Sequence, residues 1–221
     1  MSSADKLAND FTRAAMIGSA VIAAAFLVHN INGAYIEPQF LGFEDPTSDY
    51  AKIENLRRAT GSVPWTASGL GHFFSGFACV PLALWAFHAF RATTPVAGSF
   101  ALAAGLFAGA GFLIGGITDL LGSSSAALFA DANPTYANEV YLSRSLLRVV
   151  LNGFAIVSFG CFAALVSWAG RHTGALSAWQ AALGYLAAAS AAVFALVYAP
   201  VYLPLYLLWN AWLTWRLRRA T

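Results

Sequence analysis

"ALAAGLFAGAGFLIGGITDLL", residues 101–121, is an apolar stretch that reaches its only charge, Asp119, close to its end. A helix needs about 20 such residues to cross the hydrocarbon core of a bilayer. Gly105, Gly109 and Gly116 stand at offsets of four and eleven, which return close to the same helical angle. A stripe of small residues lets a neighbouring helix backbone approach closely. Asp119, fourteen residues after Gly105, continues that stripe, whereas Gly111 is rotated away from it. The stretch therefore reads as one helix of a membrane bundle, with its acid turned into the bundle and away from lipid.

The rest of the chain has the same character. Of 221 residues, 59% are hydrophobic and 10% charged, with mean hydropathy +0.64; a soluble domain carries about 25% charged residues. The strict alternation of a membrane β-barrel is missing. A net charge of +2 without a dense basic run excludes a nucleic-acid partner. Cys79 and Cys161 fall inside apolar segments, which excludes a disulfide framework and zinc-ligand spacing and makes them packing residues. The fold class is all-α, a polytopic helix bundle in the lipid bilayer, built as a single domain over 1–221.

Six apolar segments can be threaded, at about Ala14–Tyr35, Ala67–Phe90, Val96–Leu121, Leu142–Ala169, Leu176–Tyr198 and Val201–Trp215. The charged leader before the first contains Asp5 and Asp10 beside Lys6 and Arg13, and no small-x-small site closes the apolar run, so it reads as a retained helix. Pro200 and Pro204 separate the last two segments. Proline breaks a helix interior, which favours a tight turn between two spans over the alternative of five spans with a long kinked last helix. Lys6, Arg13, Arg91, Arg171, Arg216, Arg218 and Arg219 then share one side, against Lys52, Arg57, Arg58, Arg144 and Arg148 on the other. The basic excess places both termini in the cytoplasm. Two outer loops result, at about 36–66 and 122–141. Within the first, Ser48 is placed to cap a short helix whose Ile53 and Leu56 face the membrane surface.

Polar side chains gather at the outer end of this threading. Gly18, Ala25, His29 and Asn32 share one helical face, as do His72, Ser75, Gly76 and Cys79. In "YLSRSLLRVVLNG", residues 141–153, Arg144 and Arg148 precede Asn152 by helical turns. His29, Asn32, His72, Asp119, Arg144, Arg148 and Asn152 therefore converge on one depth. Ionisable groups inside a membrane are costly and usually paired. Asp119 and Arg148, on helices joined by an outer loop, form the expected pair, with Arg144 one turn nearer water, serving the headgroup region or an acidic ligand group, and Asn152 below.

His29 and His72 are candidate ligands for haem b, with the arginines near its propionates, or, together with Asp119, for a divalent metal. His88 lies on another face at the inner end, and His172 in a short inner turn. Tyr198, Tyr202 and Tyr206, spaced by four through the proline-containing turn, are candidate pocket-lining residues for a quinone, carotenoid or lipid. Trp65, Trp168, Trp179, Trp209, Trp212 and Trp215 fall at expected interfaces. "GSSSA", residues 122–126, lacks the strand-to-helix turn of a hydrolase nucleophile, and no phosphate-binding glycine loop is present.

Farther along, "LNGFAIVSFGCFAALVSWAGRHTGALSAWQAALGYLAAAS", residues 151–190, leads through "LPLYLLWNAWLTWRLRR", residues 203–219. A glycine-containing helix, a short basic turn, a "W…LGYL" helix and a Trp-rich helix ending in arginines follow one another. This half resembles small six-helix bacterial membrane proteins of an uncharacterised domain family. The resemblance implies a single six-helix module in the bacterial cytoplasmic membrane, without an assigned reaction. Together these readings lead to three expectations. The first is an accessory subunit of a larger membrane complex or homo-oligomer, or a small-molecule or lipid binder, with its site at the outer face. The second is a haem or metal redox protein using His29 and His72. The third is a small transporter, for which internal repeats are lacking.

Overall fold

A computed structural model describes residues 3–42, 52–197 and 199–221. Among them the chain is helical almost throughout, without strands. Helix α1 (Ser3–Ile31) continues into a π-helical segment (Asn32–Leu41), and the short α2 (Ile53–Ala59) follows. The remaining elements are α3 (Val63–Phe90), α4 (Pro95–Ala132), a 3₁₀ turn (Pro134–Tyr136), α5 (Ala137–His172), α6 (Ala178–Val197) and α7 (Tyr202–Arg218). Five of these helices are long and apolar enough to cross a membrane, within Lys6–Leu41, Val63–Phe90, Pro95–Gly122, Pro134–His172 and Ala178–Val197. The sixth long helix, α7, has 17 residues and reaches only about 25 Å at 1.5 Å per residue.

Local chemistry fixes where the helices start and stop. The Ser62 side chain accepts a hydrogen bond from the Trp65 amide at the start of α3, the ordinary N-cap arrangement. Pro95 opens α4, where its missing N–H costs nothing. The π-helical segment stops at Gly42, whose φ of 68° is left-handed and whose N–H returns to the Glu37 carbonyl. Between α6 and α7 the helical geometry breaks around Pro200, so these are two helices and not one kinked rod.

The six long helices close into a ring in which α1 touches α3, α3 touches α4, and so on through α5, α6 and α7 back to α1. Helix α7 runs antiparallel to α1. Tyr202 near its start meets Phe26, and Ser19, two turns earlier in α1, donates from its hydroxyl to the Asn210 carbonyl at 2.9 Å. The ring axis is filled by side chains. Phe26, Phe112, Phe159 and Tyr206, from α1, α4, α5 and α7, form a closed circuit of ring contacts with centroids 5.1–6.3 Å apart. The Tyr206 hydroxyl is satisfied by the Ile156 carbonyl at 2.6 Å, and Trp209 and Phe162 continue the core beneath.

Glycines set the helix spacing, and the expectation that a large residue at Gly109 disturbs assembly far more than one at Gly111 loses its basis. A Cβ at Gly109 would stand 2.9 Å from the Gly76 carbonyl oxygen, and one at Gly116 would meet the Phe73 backbone, so the Gly105–Gly109–Gly116 stripe seats α4 on α3. Gly111 is not on open surface. A Cβ there would stand 2.9 Å from Ala155 Cβ, and Gly115 lies under Asn152. Helix α4 thus has two glycine faces, one for each neighbour in the ring, because an inserted helix contacts partners on both sides.

Other boundaries also moved. The segment 122–141 is not a loop: α4 continues to Ala132 and α5 starts at Ala137. Hydropathy marks where lipid contact would stop, whereas the helix stops only where its backbone does, at Asn133–Pro134. Helix α4, at 38 residues, is about 57 Å long and exceeds a hydrocarbon core of about 30 Å. Leu56 does not face outward either; it is buried with Leu41, Ala59 and Trp65. Trp65 and Trp209 are buried instead of lying at interfaces. Ser48, the expected cap of the short helix, lies outside the described residues.

Candidate functional site

Asp119 stands at the centre of the polar cluster, its side chain fully sequestered from solvent. Its approach to α3 depends on Gly69, where a Cβ would come within 2.9 Å of Asp119 Cβ. Arg148 Nε lies 2.7 Å from Asp119 Oδ1. The second carboxylate oxygen lies 3.3 Å from His72 Nδ1. A carboxylate only accepts, so His72 donates from Nδ1 in this contact. Asp119 therefore orients an arginine from α5 and a histidine from α3 at once.

Trp65 completes the arrangement from the first turn of α3. The Arg148 guanidinium lies 4.3 Å and that of Arg144 4.7 Å from its ring centroid, within cation–π range. Arg144 donates to Thr60 Oγ1 at 3.2 Å and to the Asp119 carbonyl at 3.4 Å. At 9% exposure it is a buried structural tie between α2, α4 and α5. The expectation that Arg144 serves the headgroup region is thereby corrected: Thr60, just after α2, and the Trp65 ring close on it, a tertiary effect that helical spacing does not carry.

The remaining polar residues divide between structure and cavity. Asn32 is structural, donating from Nδ2 to the Pro64 carbonyl and to Ser68 Oγ. His29 stacks on His72, with centroids 4.5 Å apart and planes inclined by 30°. Gly71 makes room for it, since a Cβ there would sit 3.2 Å from His29 Nε2. Phe112 flanks the other partner, 6.0 Å from the His72 ring at 15°, so three flat side chains from α1, α3 and α4 form a column. His29 Nε2 and Asn152 Oδ1 are buried without a hydrogen-bond partner among the described residues.

Those two atoms belong to residues lining a cavity of about 360 Å³ at one end of the ring, the end expected from the basic residues to be the outer one. His29, Ser68, His72, Arg148 and Asn152 furnish a polar wall. Phe194, Pro200, Tyr202, Leu203 and Pro204 provide the apolar wall opposite. Phe26 and Phe112 are shared with the aromatic circuit, which closes the cavity from below. Of the three candidate tyrosines, Tyr202 lines the cavity, Tyr206 is turned into the core with its hydroxyl used by Ile156, and Tyr198 lies outside the described residues. Tyr206 is one turn deeper, on the level where the rings already fill the axis.

The histidines do not form a haem clamp. Axial ligands must aim nitrogens at one iron from opposite faces of a macrocycle, each about 2.0 Å from the metal. Rings stacked at 4.5 Å leave no porphyrin plane between them. No group of three or more His, Cys, Asp or Glu among the described residues is placed to hold a metal ion. His88 and His172 are remote, stacked on Phe11 and Trp168 at the opposite end of the ring. Trp65, Gly69 and Gly71 escaped the sequence reading of the site. "SGLGH", residues 68–72, carried the signal: two glycines immediately before an intramembrane histidine provide bare backbone against which other side chains can pack.

No family model matches the chain, and neither does any curated protein or solved structure. The class is defined by the architecture alone: a helical bundle suited to a membrane, with a half-polar cavity at one end of its axis.

Proposed function

We propose that the protein is a six-span integral membrane protein that binds an amphipathic small molecule in its outer-end cavity. One observation carries the reading: the cavity has a polar wall organised around a buried Asp119, an apolar wall opposite and an aromatic floor. Ligand sites commonly have this form, about 300–1,000 Å³ of mostly apolar lining with a few placed polar groups. The same floor disfavours a transport path, since Phe26, Phe112, Phe159 and Tyr206 interlock across the axis.

The six-span reading rests on α7 lying in the ring antiparallel to α1, as long as its neighbours allow. Its shortness is offset by Arg216, Arg218 and Arg219 at its end, which can reach the interface by snorkelling; Arg219 already folds over Trp215 at 3.9 Å. Both termini then face the cytoplasm by the excess of lysine and arginine on that side. Reporter fusions at Thr221 and after Gly174 should read cytoplasmic. An external signal from Thr221 would leave five spans.

The binding reading is tested by solvent extraction of the purified protein followed by mass spectrometry. The wild type should yield one small molecule near stoichiometric amount, depleted in Asn152→Leu. A wild-type protein that yields nothing and gains no thermal stability from a total membrane lipid extract would overturn it.

A further inference from the structure

The cavity's own chemistry narrows the ligand class, and the narrowing rests on the binding reading above. We propose that the cavity takes a neutral, lipid-soluble molecule with a flat carbonyl- or hydroxyl-bearing ring, of which a prenylated quinone is the type. Three features of the molecule converge on this class.

Charge is the first. Asp119 and Glu37 are formally balanced by Arg144 and Arg148 in and behind the polar wall. An ionic head group buried there would lack a counter-charge, and an uncompensated buried charge is strongly disfavoured. The second is hydrogen bonding. His29 and Asn152 line the cavity; His29 Nε2 is turned to Gly71 and Asn152 Oδ1 to Gly115, which leaves the other ring nitrogen and the amide nitrogen as the groups to face a ligand. A neutral imidazole carries its one proton on either nitrogen, and an amide nitrogen donates. Together they fit a carbonyl or a hydroxyl on a ring. The third is the shape of the surroundings. Phe26, Phe112, Phe194 and Tyr202 present aromatic rings to the cavity, which suits a flat partner.

The route in is lateral. Gly33 and Ala34 on one side and Pro200 and Leu203 on the other line the cavity where α1 gives way to its π-helical segment and α7 begins. Ile31, Tyr35, Val197 and Val201 nearby are exposed and apolar. A ring held at His29 and Asn152 therefore leaves its tail between α1 and α7, against lipid chains.

The test is equilibrium binding of two radiolabelled probes to the full chain in zwitterionic lipid nanodiscs: a short-tailed prenylquinone and a fatty acid of similar tail length. The quinone should saturate at one per chain, and the fatty acid should not saturate. His29→Ala and Asn152→Leu should each weaken quinone binding by about tenfold, the worth of one hydrogen bond in a dry site. Gly33→Phe guards against misfolding as an explanation: a Cβ at Gly33 meets nothing within 4 Å, so the fold should survive while the ring blocks the cavity and abolishes binding. Quinone binding that is unchanged in Gly33→Phe would overturn the proposal, because the molecule would then sit elsewhere. Saturable binding of the fatty acid alone, lost in Gly33→Phe, would overturn the ligand class and leave the cavity reading standing. If neither probe saturates, the ligand class fails, and extraction of the purified protein decides separately whether the cavity holds anything.

Discussion

The inner and outer halves of the ring use the same helices and differ in what faces the axis. In the inner half small residues meet and the large rings fill what remains: Gly18 lies on Ala78, Gly105 on Ala83 and Gly184 under Trp209, while Phe159, Phe162 and Trp209 are fully buried. In the outer half the axis receives His29, His72, Arg148 and Asn152. Arg148 and His72 are tied to Asp119, so they stay at the wall and do not fill the axis. Solid packing gives way to a cavity of about 360 Å³ where side-chain chemistry changes, with no change in the number of helices. The comparison teaches that the cavity is held open by polar organisation around one carboxylate.

Removing that carboxylate should break the outer half most severely. Asp119→Asn strands Arg148 in a buried setting and should cost about 3–5 kcal/mol, read as a large fall in the thermal midpoint in detergent. Asp119→Asn combined with Arg148→Gln should be less damaging than the sum of the two single changes. Strict additivity would mean that the pair does not couple across α4 and α5.

Arg144→Ala comes next, at about 1.5–3 kcal/mol for loss of charge-assisted hydrogen bonds. A negligible loss would show that Thr60 and Trp65 do not hold Arg144 in place, and would return it to a headgroup role. For the packed seams, Gly109→Leu and Gly111→Leu should each destabilise by about 1–3 kcal/mol, the usual cost of overpacking, because each faces a neighbouring helix. A harmless Gly111→Leu would reinstate a single-stripe α4.

Smaller effects sharpen the boundary between the halves. Tyr206→Phe removes the hydroxyl that reaches Ile156 and should cost about 1 kcal/mol without changing ligand content, since the ring circuit remains. Gly33→Ala, in the open cavity mouth, should alter stability by less than about 0.5 kcal/mol. A large loss there would mean that the outer half is packed as tightly as the inner.

Much of this was legible in residue order. Helical offsets placed Gly105, Gly109, Gly116 and Asp119 on one face, and that face does seat α4 on α3. Other features were not legible. Gly111 turned out to face Ala155, because the angular width of a helix's contact surface depends on how many neighbours it has. Arg144 turned out to be covered, because Thr60 and the Trp65 ring come from a segment distant in sequence. His29 and His72, at one depth and of the right type for axial ligands, stack on each other; the orientation of two rings is set by packing of α1 on α3 around Gly71.

By itself, the sequence determined a bundle of long apolar helices, its glycine-lined contact face and the depth at which the polar groups gather. Periodicity and hydropathy are properties of a single helix, and they survive unchanged when helices assemble. Only the tertiary structure decided the closure of the ring, the aromatic circuit across its axis, the platform that Trp65 offers to both arginines, and the cavity between His29, Asn152 and Tyr202. Those depend on which helices become neighbours and how side chains from four or more of them share one volume, and no single helix carries that information.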